Sequence, residues 1–127
     1  MKIAVVSNLD TKMMGVVERI REQSMSLNVG MDIAPVNRII DVPMAVRRMG
    51  ERPDVDSVLI AVDFPELSFE HDAPLVESIK TELGLISREI GKPVSTELMD
   101  AKVGEMGATK IGDVLKGLME EDMKEGF

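Results

Sequence analysis

Hydrophobic residues along the chain form short continuous runs separated by segments with a helical period. Lys2–Ser7 and Ser57–Val62 are runs rich in β-branched residues, a composition typical of strands buried on both faces. Residues 31–36 and 93–96 form two shorter runs of similar character. The pattern therefore predicts four strands.

Between these runs and after the last one, hydrophobic residues recur every three or four positions, which predicts helices. In the first helix, the predicted apolar side consists of Met13, Val16, Val17, Ile20 and Met25. The second helix begins near Pro43, because proline suits a first turn, and the third begins near Pro74. We expect the third helix to end at Gly91, and a fourth helix is predicted from about Thr109.

Strands and helices thus alternate strictly along residues 1–127, which we interpret as one domain without internal repeats or linkers. Alternation of this kind predicts an α/β fold in which a four-stranded parallel sheet lies between two layers of helices. We expect residues 120–127 to form a frayed tail. In such sheets ligands bind beyond the carboxyl ends of the strands. The segments expected at this edge are residues 8–10, 37–41, 63–71 and 97–102.

Composition narrows the class of function. The net charge is −8, so we expect neither nucleic acid nor an anionic membrane as a partner, because both are recognised largely through their phosphates. The chain has no cysteine, which excludes disulfides, thiolate nucleophiles and thiolate metal sites. The apolar stretch before Ser7 is too short for a signal peptide or a membrane span, and we expect a cytoplasmic protein. The eleven methionines are expected to fill gaps in the core.

The segment DFPELSFEHD, residues 63–72, contains the single histidine of the chain, His71. An ordinary histidine pKa of ~6.5 suits proton transfer near neutral pH. The carboxylates that could converge at this edge are Asp10, Asp63, Glu66 and Glu70. Together they could bind Mg²⁺ or act as an acid and base pair, or they could be a solvated loop, the commoner situation for charged residues.

A series of short motifs runs through the first three quarters of the chain. In order these are Val36, Asp41-Val42-Pro43, Ala45, Arg47-Arg48, "DSVLIAV" at residues 56–62 and "PELSFEH" at residues 65–71. Their spacing resembles that of the lumazine synthases, especially the archaeal ones, over roughly residues 1–96. The resemblance implies the lumazine synthase-like version of the three-layer fold, which is of the flavodoxin-like class.

The same resemblance implies a binding site for a small molecule of the ribityl-pyrimidine or lumazine type. Leu9 occupies the position where the family stacks an aromatic side chain on the pyrimidine ring. By position, the ring-binding segment is Asp63, Phe64 and Pro65. The residues that would hold the ribityl chain are Ile39, Ile40 and Asp41.

The implied reaction is a step of riboflavin biosynthesis, in which a transferase condenses a ribitylaminouracil with a four-carbon ketose phosphate. His71 matches the family's proton-transfer histidine, so the resemblance implies that it is catalytic. No metal and no organic cofactor take part in this chemistry. The family's active sites lie between subunits, usually within a pentamer, so the resemblance also implies a homo-oligomer.

The residues at the family's phosphate-binding positions favour a function other than this condensation. Where the family has G-x-T, this chain has Leu67-Ser68-Phe69, in which only Ser68 retains a hydroxyl donor for a ligand. No arginine follows Arg88, so the family's phosphate-clamping arginine has no counterpart. A non-catalytic or repurposed member of the fold that binds a lumazine- or flavin-like ring is therefore an alternative.

Two further alternatives remain. Dismutation of two lumazines, the reaction of archaeal riboflavin synthase, needs no phosphate site, and Pro65 and Glu77 resemble residues of that relative. A receiver-type signalling domain would place a phospho-acceptor at Asp63, but that class needs an acidic pair where this chain has Ser7-Asn8.

Overall fold

The computed structural model describes residues 1–68 and 72–125, with side chains as far as residue 121. The protein consists of a parallel sheet with helices on both faces. The strands are β1 (Lys2–Ser7), β2 (Gly30–Pro35), β3 (Ser57–Val62) and β4 (Val94–Met99). The helices are α1 (Thr11–Ser26), α2 (Val42–Gly50), α3 (Ala73–Ile90) and α4 (Ala108–Glu125). Short 3-10 turns occur at Ile39–Asp41, Pro65–Leu67 and Val103–Glu105.

The strands follow the spatial order β2-β1-β3-β4, and every neighbouring pair is parallel. Val5 in β1 lies opposite Ile33 of β2 and Leu59 of β3, so the central strands are in continuous register. The predicted four-stranded parallel sheet is thereby confirmed. Because all strands run the same way, their carboxyl ends meet at one edge.

The sheet separates two apolar layers, and successive residues of β3 point into opposite layers. Val58 and Ile60 pack with α2 and α3, whereas Leu59 and Ala61 pack with α1 and α4. All six residues of β3 are buried, which explains why the sequence there is continuously hydrophobic. This arrangement confirms the predicted three-layer architecture.

Side chains and special residues set the helix ends. The Asp10 carboxylate accepts a hydrogen bond from the backbone N–H of Met13 at 2.8 Å, which caps α1. Pro43 lies in the first turn of α2, as predicted. Gly91 ends α3 with a φ of 68°, a left-handed conformation that favours glycine.

The prediction that methionines fill the core is wrong for several of them. Met25 is 73% exposed, Met44 is 66% exposed and Met14 is 60% exposed. In α1 the buried positions continue from Ile20 to Ser24, so Met25 is rotated by about 100° away from the core. A buried serine in the apolar series was not visible from hydrophobicity alone.

Two elements are longer than predicted. β4 extends to Met99. It includes the polar residues Thr96 and Glu97, which an edge strand tolerates because it is only partly covered. Helix α4 continues to Glu125, well into the segment that we expected to fray. Among the described helices, none is long and apolar enough to cross a membrane.

Candidate functional site

Three strand ends surround a pocket of about 370 Å³ at the carboxyl edge of the sheet. Each strand contributes three consecutive residues: 8–10 after β1, 35–37 at the end of β2, and 63–65 after β3. We call this the edge pocket. Its position is where ligands bind in open parallel sheets.

The edge pocket brings together four residues that the sequence placed in the ring-binding site. Leu9 is 46% exposed and Pro65 is exposed, whereas Phe64 is 7% exposed because it also packs in the core. Asp63 supplies a carboxylate beside these apolar groups. An apolar wall with a few polar groups is the usual composition of a small-molecule site.

Asn8 joins the ends of β1 and β3. Its amide Nδ2 donates to the carboxylate of Asp10 and to the backbone carbonyl of Asp63, both at 3.1 Å. Its Oδ1 accepts a hydrogen bond from the backbone N–H of Asp63 at 3.0 Å. Asn8 is only 8% exposed, both of its N–H groups donate to protein acceptors, and it links the strand ends that line the pocket. This role was missed, although a polar residue directly after a buried strand was a signal.

Lys12 forms an ion pair with Asp63, one of the residues that line the edge pocket. The Lys12 Nζ lies 2.5 Å from the Asp63 carboxylate, and the side chains are 56% and 18% exposed, respectively. The hydrogen bond to Asp63 raises the pKa of Lys12, with smaller contributions from the carboxylates of Asp10 and Glu105. Sequence reasoning also missed this residue, because the pairing joins α1 to a loop far along the chain.

The three residues assigned to the ribityl chain lie in different surroundings. Asp41 lines a second hollow of about 210 Å³, which shares residues 35–37 with the edge pocket and also contains Arg48. Ile40 is 53% exposed and lines a separate groove between α2 and α3. Ile39 is 2% exposed and packs in the core beneath α2, so its side chain does not reach the edge pocket.

The segment after Pro65 is described only in part. Ser68 is exposed, and its backbone N–H donates to the carbonyl of Pro65 at 3.1 Å. The preceding Leu67 is half-buried and packs against the core between α2, α3 and the sheet. His71, which the resemblance makes catalytic, lies outside the described residues.

The carboxylates expected near this edge do not form a metal site within the described part of the chain. Among those residues, no three histidine, aspartate or glutamate side chains are grouped closely enough to hold a metal ion. Asp63 is paired with Lys12, Asp10 caps α1, and Glu66 lies in the 3-10 turn. Glu70 lies outside the described residues.

At the opposite, amino end of the sheet lies a network of charges formed by Lys2, Asp32, Arg52 and Asp54. The Lys2 Nζ contacts Asp32 at 2.8 Å and Asp54 at 3.0 Å. Arg52 contacts the same two carboxylates at 2.9 and 2.8 Å. Hydrogen bonds from Arg52, and then from Lys2, lower the pKa of Asp54 to about 2. We call these four residues the amino-end network.

Two curated proteins with significant similarity to the chain are lumazine synthases. The 6,7-dimethyl-8-ribityllumazine synthase of Archaeoglobus fulgidus is 29% identical over 99 residues, which cover 76% of this chain and 69% of that protein. The protein of the same name from Methanoculleus marisnigri is 29% identical over 84 residues, covering 66% and 62%. No family model matches the chain.

Proposed function

We propose that this chain, a divergent lumazine synthase-like protein, binds a ribityl-substituted pyrimidine or lumazine in its edge pocket. In this proposal it acts in riboflavin biosynthesis and condenses a ribitylaminouracil with a four-carbon ketose phosphate. The similarity to two 6,7-dimethyl-8-ribityllumazine synthases supports the pathway, and the resemblance of the motifs supports the reaction.

The observation that carries the proposal is the convergence of Leu9, Asp63, Phe64 and Pro65 on one pocket. These residues come from two strand ends that are more than fifty positions apart in the chain. Leu9 and Phe64 offer apolar surface to the faces of a ring, and Asp63 offers an acceptor for ring N–H or amino groups. The pocket therefore has the chemistry that an amino-substituted heterocycle needs.

His71 completes the proposal as the group that transfers protons during condensation. Imine formation and ring closure both require proton transfers, and histidine is the side chain that most often performs them near neutral pH. We expect His71→Ala to lower kcat by about 100-fold, the lower end of the usual contribution of general acid–base catalysis.

Turnover of the two substrates by the purified chain tests the reaction. Lumazine formation is followed by mass spectrometry, with His71→Ala as the test variant and Lys116→Gln, on the exposed side of α4, as the control. The proposal expects product from the parent chain and the control, and a strong loss in His71→Ala. Absence of product at high enzyme concentration would rule out the condensation.

A second candidate is ring binding without condensation. The Leu67 side chain packs toward the core, and no arginine follows Arg88, so two positions that would hold a phosphate in the family lack phosphate donors here. In this case riboflavin or a lumazine binds to the chain, but the assay yields no product. Fluorescence titration with both ligands separates the two candidates, because unchanged signals would argue against ring binding as well.

We also propose that the chain forms a homo-oligomer, with the family's pentamer as the expected form. Ile40 and Met44 expose apolar surface beside α2, at 53% and 66%, and covering such surface favours association. Analytical ultracentrifugation is the test. The expected species is several times heavier than 14.0 kDa, and Met44→Lys shifts it toward the monomer. A parent chain that sediments as a monomer at micromolar concentration contradicts the proposal.

A further inference from the structure

The turn that follows β4 lies against the side chain of Lys12, and the contact is made at a glycine. A Cβ atom at Gly104 would lie 2.7 Å from Cε and 3.3 Å from Cγ of Lys12. The stem of the lysine therefore occupies the space that a side chain at position 104 would fill. Its Nζ lies 2.5 Å from the carboxylate of Asp63, which lines the edge pocket. The glycine thus lets Lys12 pass along the turn to Asp63.

Arg19 holds this turn against α1. Its Nη1 donates to the carbonyl oxygens of Gly104 at 3.3 Å and of Met106 at 3.2 Å. Hydrogen bonds from a charged donor are stronger than those between neutral groups. Val103, at the start of the turn, is fully buried and packs in the apolar layer of α1 and α4. The turn is therefore fixed by the core at one point and by Arg19 at two others.

Asp63 is held at its backbone and at its side chain by different residues. Asn8 binds its N–H and its C=O, whereas Lys12 binds its carboxylate. A ligand that hydrogen-bonds to a carboxylate without such a partner must order that side chain on binding, which weakens the affinity. The ion pair with Lys12 therefore orients the Asp63 carboxylate in advance, although a pair this exposed adds little to stability.

We propose that Gly104 and Arg19 are positioning residues for the edge pocket. Arg19 fixes the turn after β4. Gly104 leaves the path along it by which Lys12 reaches and orients the Asp63 carboxylate. Neither Gly104 nor Arg19 lines the pocket, so both act through Lys12. The inference rests on the proposed ring-binding function, and it connects the end of β4 to a pocket whose walls come from the other three strand ends.

Acylation of lysine amines measures the position of Lys12 without any ligand. The hydrogen bond to Asp63 raises the pKa of Lys12, so its amine stays protonated and reacts slowly. Gly104→Ala places a methyl group where the Lys12 Cε lies, and the end of this flexible side chain can move aside without disturbing the fold. We expect acylation at Lys12 to become about threefold faster relative to exposed Lys116, measured by peptide mass spectrometry. Gly107→Ala is the matched control, because its methyl group meets open space.

Riboflavin affinity shows whether the position of Lys12 matters for the ring. The chain contains no tryptophan and no tyrosine, so flavin fluorescence anisotropy reports binding without competing protein emission. Gly104→Ala should weaken binding about fivefold, the effect of one additional side chain to be ordered, and Gly107→Ala should not. In a Lys12→Met background, which keeps the stem and removes the charge, Gly104→Ala should have no further effect.

Substitutions at Arg19 test the other half of the proposal. Arg19→Met removes both hydrogen bonds to the turn and should change the acylation rate and the riboflavin affinity about twofold each, because one orienting contact is loosened but not blocked. Arg19→Lys retains a charged donor and should restore part of both values. Arg21→Met, at an exposed position of the same helix, makes the same change in charge and should alter neither.

The outcomes separate this inference from the function on which it rests. An unchanged acylation rate at Lys12 in Gly104→Ala overturns the path along the turn, and if this variant does not fold, Arg19→Met decides by the same measurement. A loss of riboflavin affinity that is equal with and without Lys12→Met shows that Gly104 does not act through Lys12 and overturns the proposal. If riboflavin does not bind to the folded parent chain, the ring-binding function fails, whereas the acylation rates still establish or refute the contact itself.

Discussion

At the amino end of the sheet the charged side chains contact one another, whereas at the carboxyl end polar and apolar groups border an open pocket. Lys2 and Arg52 each contact both Asp32 and Asp54, so the amino-end network satisfies its own charges. The strand ends at residues 8–10, 35–37 and 63–65 instead leave a space of about 370 Å³. Charged side chains therefore satisfy one another at the amino end, whereas at the carboxyl end Asp10 and Asp63, although each has a protein partner, also border an open space.

Asn8 shows that the carboxyl end also contains residues with a structural role. Both N–H groups of its amide are used by Asp10 and the carbonyl of Asp63, so Asn8 has no donor left for a ligand. Polar groups at the carboxyl end therefore differ in whether their hydrogen bonds are made to protein partners or are available to a ligand. Substitutions at each end of the sheet test this difference.

The largest expected effect is at Phe64, which contributes both to the core and to the edge pocket. Phe64→Ala should lower the free energy of unfolding by about 3 kcal/mol, because a side chain that is 7% exposed leaves a cavity. Urea denaturation measures the loss, and Phe64→Leu should lose less than ~1.5 kcal/mol. A loss below about 1 kcal/mol in the alanine variant would mean that the pocket wall is not part of the core.

Asn8→Ala should lower the free energy of unfolding by about 2 kcal/mol, since it removes three hydrogen bonds and leaves two part-buried backbone groups of Asp63 without this partner. Its neighbour Leu9 is 46% exposed, and Leu9→Ala is the matched control with an expected change within ~0.5 kcal/mol. Equal losses in the two variants would remove the distinction between saturated and available groups at this end.

Leu9→Trp should strengthen riboflavin binding about fivefold, because an aromatic ring at the exposed wall can stack on the ligand. The chain has no other tryptophan, so quenching of its emission reports the contact directly. Met14→Trp places the reporter at another exposed position, 60% exposed on α1, and should show no quenching. Similar quenching in both variants would indicate binding away from the edge pocket.

The smallest expected effect is at Asp54 in the amino-end network. Its pKa is lowered from 3.8 to about 2, so the stabilisation it provides is present above about pH 4 and is lost as the pH falls through about 2. Urea midpoints of the parent chain and Asp54→Asn should differ at pH 6 and converge toward pH 2. Riboflavin affinity should not change in this variant, and a persistent gap at pH 2 would contradict the assignment.

Much of the fold followed from the sequence because burial leaves a strong pattern. The bounds of β1 and β3 agree with the continuous runs at Lys2–Ser7 and Ser57–Val62, and the glycine stop at Gly91 has the left-handed conformation that ends a helix. β4 was underestimated because an edge strand tolerates polar residues such as Glu97. In a partly exposed strand, polar residues are tolerated, so the continuous hydrophobic run that identified the central strands is absent.

The candidate site was only partly accessible to sequence reasoning. Leu9 and Asp63 were placed there through the family resemblance, and the edge pocket brings them together. The ion pair of Lys12 and the hydrogen bonds of Asn8 depend on side chains that meet only after β1 and β3 align. No periodicity encodes such contacts, since each partner is polar and lies outside the repeating apolar positions.

A titration of the ¹⁵N-labelled chain with riboflavin, followed by amide chemical shifts, tests most directly which end of the sheet binds the ring. If the carboxyl end is the binding end, the amides of Leu9 and Asp63 and the side-chain amide of Asn8 should shift with increasing ligand. The amide chemical shifts of Lys2 and Arg52 should not change. Shifts concentrated at the amino-end network, or none at the edge pocket, would contradict the account.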